Sequence, residues 1–147
     1  MNIGPNEIGE IVASVWATML GGELFALPGS IELEGELISG EIHMRGEDGF
    51  EGLVRIVASL PVAQAAARVM FTTDTPDDRD ATDTVAELIN MIGGNIKSLI
   101  AEDARLDLPK VTHGQPDTGA DAAAIARADA DFIAADHPFR VTLLRMR

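Results

Sequence analysis

The feature that most constrains the fold is a run of aliphatic residues, spaced by three and four positions, in the second half of the chain. This spacing predicts an amphipathic helix from about Asp80 to about Glu102, because residues three and four apart share one helix face. The apolar face comprises Val85, Leu88, Ile89, Ile92, Ile96 and Leu99. A helix with such a stripe must bury it against another layer, so the rest of the chain has to supply that layer.

Alternating and continuously apolar runs predict the layer as a β-sheet. The predicted strands lie at residues 31–34, 37–45, 53–59, about 108–112, 129–135 and 139–146. The first three read as an antiparallel meander, with turn residues at Gly35 and from Gly46 to Gly49. Residues 114–128 favour no single structure, since a loop there runs into an alanine-rich stretch.

Two further helices are predicted, over Glu7–Leu20 and Pro61–Phe71. Asn6 is the expected N-cap of the first, and Gly21 with Gly22 is its expected stop. The order helix, three strands, two helices and further strands is typical of an α+β fold with helices packed on an antiparallel sheet. A length of 147 residues suits one ordinary domain, so we expect a single domain over residues 1–147.

Charge and composition exclude several classes of function. The formal net charge of −13 disfavours binding to nucleic-acid phosphates and to anionic membrane surfaces. No stretch approaches the roughly 18 consecutive apolar residues of a membrane span. The chain has no cysteine, and its first residues lack the basic start of a secretory signal. We therefore expect a cytoplasmic protein.

The other face of the long helix carries polar side chains. Asp83, Glu87, Asn90, Gly94 and Lys97 follow one another at spacings of three or four, so they share a face. Gly94 and its neighbour Gly93 are unexpected there, because each glycine in a helix interior costs about 1 kcal/mol relative to alanine. Gly93 lies nearer the buried side, where close packing explains it, whereas Gly94 lies on the polar face.

Ordinary structural roles also fit this polar face. Thr84 and Glu87 match a capping box, which makes Glu87 only a cap if the helix begins at Val85. Asn90 is then an exposed polar residue without a function. The residues alone leave a docking surface and a solvated face equally open.

Metal sites find little support in the sequence. His43, His113 and His137 lie in separate segments without paired ligand spacing. The acidic run from Asp74 to Asp83 lacks the glycine and glutamate that a calcium-binding EF-hand loop needs at its sixth and twelfth positions. We expect this chain to bind no metal and no cofactor of its own.

The run Glu87-Leu-Ile-Asn90-Met-Ile-Gly-Gly-Asn-Ile-Lys97 resembles the signature helix of the CheX branch of the CheC/CheX/FliY family, phosphatases of the chemotaxis response regulator CheY. Thr18-Met-Leu-Gly21 and Leu108-Pro109-Lys-Val111 are similar to segments at the corresponding places of that branch. The resemblance implies an internally duplicated helix–strand arrangement. The first helix has Glu10-Ile-Val-Ala13 at the matching place, so only the later helix is expected to carry a site.

The resemblance also implies a mechanism and partners. The substrate is expected to be a CheY-like receiver domain phosphorylated on aspartate, which brings its own Mg²⁺ and lysine. Asn90 is expected to position the attacking water, and Glu87 to pair with the receiver's lysine. Gly94 is expected to leave room for the receiver, and Lys97 to contact its acidic surface. A homodimer is expected as well.

Two other functions remain open on the sequence. A catalytically inactive CheX-like module can bind a receiver or act as a scaffold without hydrolysing anything. A purely structural dimerisation domain can instead use an open sheet edge. The presence of both Glu87 and Asn90 favours an active phosphatase.

Overall fold

The computed structural model of the chain describes residues 3–101 and 103–147. Within them, three α-helices, seven β-strands and one short 3-10 helix follow one another. They are α1 (Pro5–Met19), β1 (Leu24–Leu27), β2 (Leu37–Arg45), β3 (Glu51–Ser59), α2 (Leu60–Met70), α3 (Asp78–Ile100), β4 (Arg105–Leu106), β5 (Lys110–His113), the 3-10 helix (Asp121–Ala123), β6 (Ala126–Ala134) and β7 (His137–Arg145).

The strands form one antiparallel sheet, in which the two halves of the chain are arranged in the same way when the sheet is read from either edge. The order is β1-β6-β7-β3-β2-β4, and β5 also pairs with β2. Each hairpin, β2–β3 or β6–β7, therefore receives its edge strand from the other half of the chain. This repeat is the internal duplication that the family resemblance implies, and the predicted α+β fold is confirmed.

The helices pack their apolar faces against one face of the sheet and form a single core with it. Aromatic side chains fill the part of the core under α1. The ring of Trp16 stacks on that of Phe139 with 4.8 Å between centroids, and Phe139 stacks on Phe132 at 4.9 Å. None of the helices in the described residues is long and apolar enough to cross a membrane.

Two arginine–carboxylate pairs hold loops over the opposite face of the sheet. Arg55 on β3 lies directly across from Glu41 on β2, and its Nη2 is 2.9 Å from the Glu41 Oε2. The same guanidinium donates to both carboxylate oxygens of Asp121, at 2.7 and 3.0 Å. Arg55 is only 3% exposed, so this bidentate contact fixes the loop that contains Asp121 across the sheet.

The second pair occupies the equivalent place in the other half. Arg140 on β7 lies across from Asp131 on β6 and donates its Nε to the Asp131 Oδ1 at 2.8 Å. The Asp131 Oδ2 accepts the backbone N–H of Ile31 at 2.8 Å, and Arg140 donates to the Ile31 carbonyl. The duplication thus extends to the way that each half holds a loop of the other.

These contacts explain why the strand predicted at residues 31–34 was wrong. The backbone of Ile31 is satisfied by the Asp131 and Arg140 side chains rather than by a strand ladder. The strand in this part of the chain is the unpredicted β1. The remaining predicted strands exist, and the ambiguous residues 114–128 contain a loop, the 3-10 helix and the start of β6.

Two smaller predictions about the helices also need correction, and a third is confirmed. Asn6 is not an N-cap, because Gly4 takes that position and Pro5 begins the helix. The first residue of a helix has no intrahelical acceptor for its N–H, so a proline there loses no hydrogen bond. Gly21 does end α1, with φ of 69° and its N–H on the Trp16 carbonyl. Leu99 is 63% exposed, and Ile100 packs on the core in its place.

Candidate functional site

The site candidate lies on α3, whose start is fixed by a local hydrogen-bond pattern. Asp77 is the N-cap and accepts the Asp80 N–H at 2.8 Å, while the Asp80 carboxylate accepts the Asp77 N–H at 3.1 Å. This capping box begins α3 at Asp78, so the alternative in which Thr84 and Glu87 cap a helix starting at Val85 is wrong. The predicted end at Glu102 lies outside the described residues, and α3 ends at Ile100.

The buried face of α3 lies against β2 at unusually short range. A Cβ added to Gly93 would lie 2.6 Å from the Cγ2 of Ile42, and one added to Gly40 would lie 2.7 Å from the Cγ1 of Val85. Both distances are shorter than side-chain contacts allow. Glycines on the helix and on the strand therefore let the two backbones approach, and Gly93 is a packing residue as its position on the helix indicated.

The exposed face presents the predicted site residues together. Glu87 and Asn90 are both exposed, and Gly94 and Lys97 are half-buried. Within residues 3–101 and 103–147, neither the Glu87 carboxylate nor the Asn90 carboxamide makes a side-chain hydrogen bond or an ion pair. Both groups are therefore available to an external partner, on a helix that is held rigidly from the other side.

Gly94 differs from Gly93 in its surroundings. A Cβ added to Gly94 would meet only the Cδ1 of Leu106, at 3.9 Å, which is an ordinary van der Waals contact. Packing against the described residues therefore gives no reason for a glycine at this position. Sequence reasoning did not find Leu106, which reaches Gly94 because the two-residue strand β4 runs alongside the end of β2.

The first half of the chain shows what α3 has that α1 lacks. The buried residues Ile8, Val12 and Val15 of α1 repeat the spacing of Val85, Ile89 and Ile92 on α3. Glu10 and Ala13 therefore take the places of Glu87 and Asn90. A groove of about 610 Å³ lies beside this part of α1 and is lined by both residues, but its helix contributes a methyl group where α3 contributes a carboxamide.

The chemistry of the α3 face is that of positioning rather than of covalent catalysis. A carboxamide both accepts and donates hydrogen bonds without carrying charge, and a carboxylate offers a fixed negative charge one turn away. No cluster of three or more His, Asp or Glu side chains able to hold a metal ion occurs in the described part of the chain. The face can therefore orient a water or pair with a cation that a partner presents.

Solved structures of chemotaxis proteins share the fold. CheX from Vibrio vulnificus is 21% identical, with a TM-score of 0.74 over 94% of this chain and 95% of that one. The CheX–CheY–BeF3–Mg complex from Borrelia burgdorferi matches at 18% identity and a TM-score of 0.71, over 99% of this chain and 100% of that one. FliY from Thermotoga maritima matches at 16% identity and a TM-score of 0.61, over 98% and 91%.

The sequence itself also identifies a family. No curated protein matches the chain. The family model described as "Chemotaxis phosphatase CheX" matches residues 38–128, which include all of β2 except its first residue and the whole of β3, α2 and α3. Because this match covers well over half of the sequence, the chain belongs to the CheX family.

Proposed function

We propose that the protein is a phosphatase that removes the phosphoryl group from the aspartate of a CheY-like receiver domain. The observation that carries the proposal is the pairing of Glu87 and Asn90 on the outer face of a helix anchored by its buried side, where both are exposed and have no side-chain partner among residues 3–101 and 103–147. A protein substrate can cover such an exposed face, whereas a small molecule would leave most of it in contact with solvent. The Borrelia burgdorferi structure of CheX with CheY supports a receiver as the partner.

Asn90 acts in this proposal by placing a water in line with the phosphorus–oxygen bond to the receiver's aspartate. The water attacks phosphorus, that bond breaks, and the products are orthophosphate and the free aspartate. A neutral carboxamide suits this task, because it holds the water without repelling the anionic phosphoryl group. The glutamine that orients water in GTPases plays a comparable part.

Glu87 acts in binding rather than in proton transfer. Its carboxylate lies one turn before Asn90 on the same exposed face, where it can pair with a lysine of the receiver and fix the register of docking. The receiver itself supplies the Mg²⁺ that neutralises the phosphoryl charge. Gly94 has no side chain that could obstruct the receiver one turn after Asn90. Lys97 contributes a positive charge one turn further along the same helix face.

The decisive experiment follows the decay of a radiolabelled phospho-receiver with and without this protein. Asn90→Ala is expected to lower the stimulated rate by about 100-fold or more, since a mispositioned nucleophile costs about that much. Asn95→Ala is the matched control, because it removes the same side chain from the same helix at an exposed position where the amide only donates to the Met91 carbonyl. Full activity of Asn90→Ala contradicts the proposal.

A binding assay separates the phosphatase from the inactive receiver-binding module. Glu87→Gln is expected to weaken binding of the receiver more than it lowers the rate at saturating receiver. If the unaltered protein binds the phospho-receiver but leaves its decay unchanged, the chain is a receiver-binding scaffold. Circular dichroism of each variant confirms that α3 is intact.

Homodimerisation is a further part of the proposal. β1 pairs with residues 131–134 of β6 only, so residues 126–130 have no strand ladder on that side in the described part of the chain. An open edge of this kind is a template for pairing with a second chain. Size-exclusion chromatography with light scattering tests it, and a monomer at all concentrations contradicts it.

A further inference from the structure

An apolar groove lies on the helix layer away from the candidate site. It runs between the end of α1, the side of α2 and the turn that joins β6 to β7, and its volume is about 330 Å³. Its walls include Trp16, Leu20, Val62 and Ile133. No residue of α3 lines it among the residues described, so it is separate from the face that carries Glu87 and Asn90.

The apolar surface continues outwards from this groove. Phe25 and Val69 line its mouth from β1 and α2, and they are 57% and 52% exposed. Large aliphatic and aromatic side chains left in water beside a groove are typical of an interaction surface. A small ligand seated in the groove would leave much of both side chains uncovered, so the natural occupant is larger than the groove.

The charge at the mouth indicates the chemistry of that occupant. Glu23 and Asp136 are the acidic side chains among the described residues that line the groove, and no basic side chain lies among those residues. Asp136 belongs to the two-residue β6–β7 turn, in which Ala135 and Asp136 have φ of 51° and 64°. A tight turn of this kind holds the carboxylate at a fixed place on the rim.

A second copy of the chain is a poor match for this surface. Each copy has a formal net charge of −13 and would bring the same two carboxylates to the contact. A partner with basic side chains flanking apolar anchors satisfies both features of the groove. Amphipathic segments use this arrangement when they lay an apolar face into a hydrophobic groove.

We propose that the groove between α1, α2 and the β6–β7 turn binds a short basic amphipathic segment of a partner protein. Apolar side chains of the segment fill the groove over Trp16 and contact Phe25 and Val69. Its lysine or arginine side chains pair with Glu23 and Asp136. Because the groove lies apart from α3, the segment and a receiver can be bound at the same time, so the partner can bring the protein to a chosen place in the cell.

The test uses a fluorescein-labelled synthetic helix of leucine and lysine residues, with leucines at one face, and measures its anisotropy on titration with the full chain. Trp16 is the only tryptophan and the chain has no tyrosine, so a change in tryptophan emission reports occupancy of the groove itself. A matched helix with glutamate in place of lysine is expected not to bind. Absence of binding by the leucine–lysine helix overturns the proposal.

Neutral substitutions at exposed positions show whether binding is local. Phe25→Ser and Val69→Ser are each expected to weaken binding by about tenfold, the loss of one exposed apolar anchor. Leu99→Ser and Ile125→Ser are the controls, since these residues are 63% and 67% exposed and do not line the groove. Equal loss, or no loss, in all four variants means that the helix binds the acidic surface at large and refutes the groove.

Charge substitutions and self-association complete the test. Glu23→Gln with Asp136→Asn is expected to weaken binding at low salt and to reduce its dependence on salt, whereas an unchanged salt dependence contradicts the pairing. Light scattering of Phe25→Ser tests the alternative in which a second copy of the chain occupies the groove. If this substitution converts a dimer into a monomer, the groove belongs to a contact between copies and the proposal is wrong.

Discussion

Substitution of the two adjacent glycines of α3 separates packing from docking on a single helix. Alanine at Gly94 is expected to raise the free energy of unfolding by up to about 1 kcal/mol, the difference in helix propensity. Its new methyl group meets only the Cδ1 of Leu106 at 3.9 Å, so no steric cost opposes the gain. A rise in melting temperature of about 2–4 °C corresponds to that energy for a chain of this size.

Alanine at Gly93 is expected to act in the opposite direction. Its methyl group would lie 2.6 Å from the Cγ2 of Ile42, a fully buried β-branched side chain that cannot turn away. Overpacking of this kind costs about 1–3 kcal/mol, which exceeds or cancels the propensity gain of about 1 kcal/mol. Gly94→Ala is therefore the more stable variant, by an amount of about 1–3 kcal/mol from these two terms.

Urea unfolding followed by circular dichroism measures this difference in the free energy of unfolding. The receiver assay measures whether side chains at position 94 obstruct docking. Gly94→Ala and the bulkier Gly94→Leu are expected to lose receiver binding progressively while remaining folded. A Gly93→Ala variant that is as stable as Gly94→Ala refutes the packing argument. Full phosphatase activity of Gly94→Leu refutes the docking role of the bare backbone, whatever the stabilities are.

Three predictions concern stability elsewhere. Thr72 has φ of 50° after α2, so Thr72→Gly is expected to stabilise the protein by about 1 kcal/mol in urea unfolding; destabilisation would show that the threonine side chain matters. Ala135→Asn relieves the left-handed residue of the β6–β7 turn and is expected to add about 0.5–1 kcal/mol by thermal melting, whereas a lower melting temperature contradicts that strain. Arg55→Met leaves the Glu41 and Asp121 carboxylates uncompensated and is expected to cost about 3–5 kcal/mol. The Arg55 hydrogen bond lowers the pKa of Asp121, so the stability contributed by the ionised Asp121 is complete above the ordinary carboxyl range and declines as the pH falls through the lowered native pKa. Urea unfolding from pH 6 to pH 2 should show this decline in the unaltered protein and a smaller decline in Asp121→Asn, since Asp129 also has a lowered pKa; an equal decline in the two proteins contradicts the assignment.

The strongly periodic elements could be predicted from the sequence because local pattern and final burial agree. β2 occupies the residues that its apolar run indicated, and α2 differs by one residue at each end. On α3, the buried face follows the aliphatic spacing until the last turn. The shared face of Glu87 and Asn90 follows from helix geometry alone, whereas their choice as the candidate site came from the resemblance to the CheX branch.

What could not be predicted depends on contacts between distant parts of the chain. β1 is four residues long and is a strand only because β6 lies beside it. Residues 31–34 alternate like a strand, yet the backbone of Ile31 makes hydrogen bonds with the side chains of Asp131 and Arg140. The helix pattern separates Gly93 from Gly94, but the neighbours that lie across from them, Ile42 and Leu106, come from other parts of the chain and no local pattern identifies them.

The exchange of edge strands between the two halves has a consequence for synthesis of the chain. α1 packs over α3 and β6, and β1 has its strand partner in β6, yet β6 and β7 follow the other described elements in the chain. The first helix therefore lacks part of the surface that buries its apolar face, including the Phe139 ring that stacks on Trp16, until β6 and β7 have been synthesised. Nascent chains grow by only about 5–20 residues per second, so the apolar face of α1 stays partly uncovered for seconds between its own synthesis and that of β7.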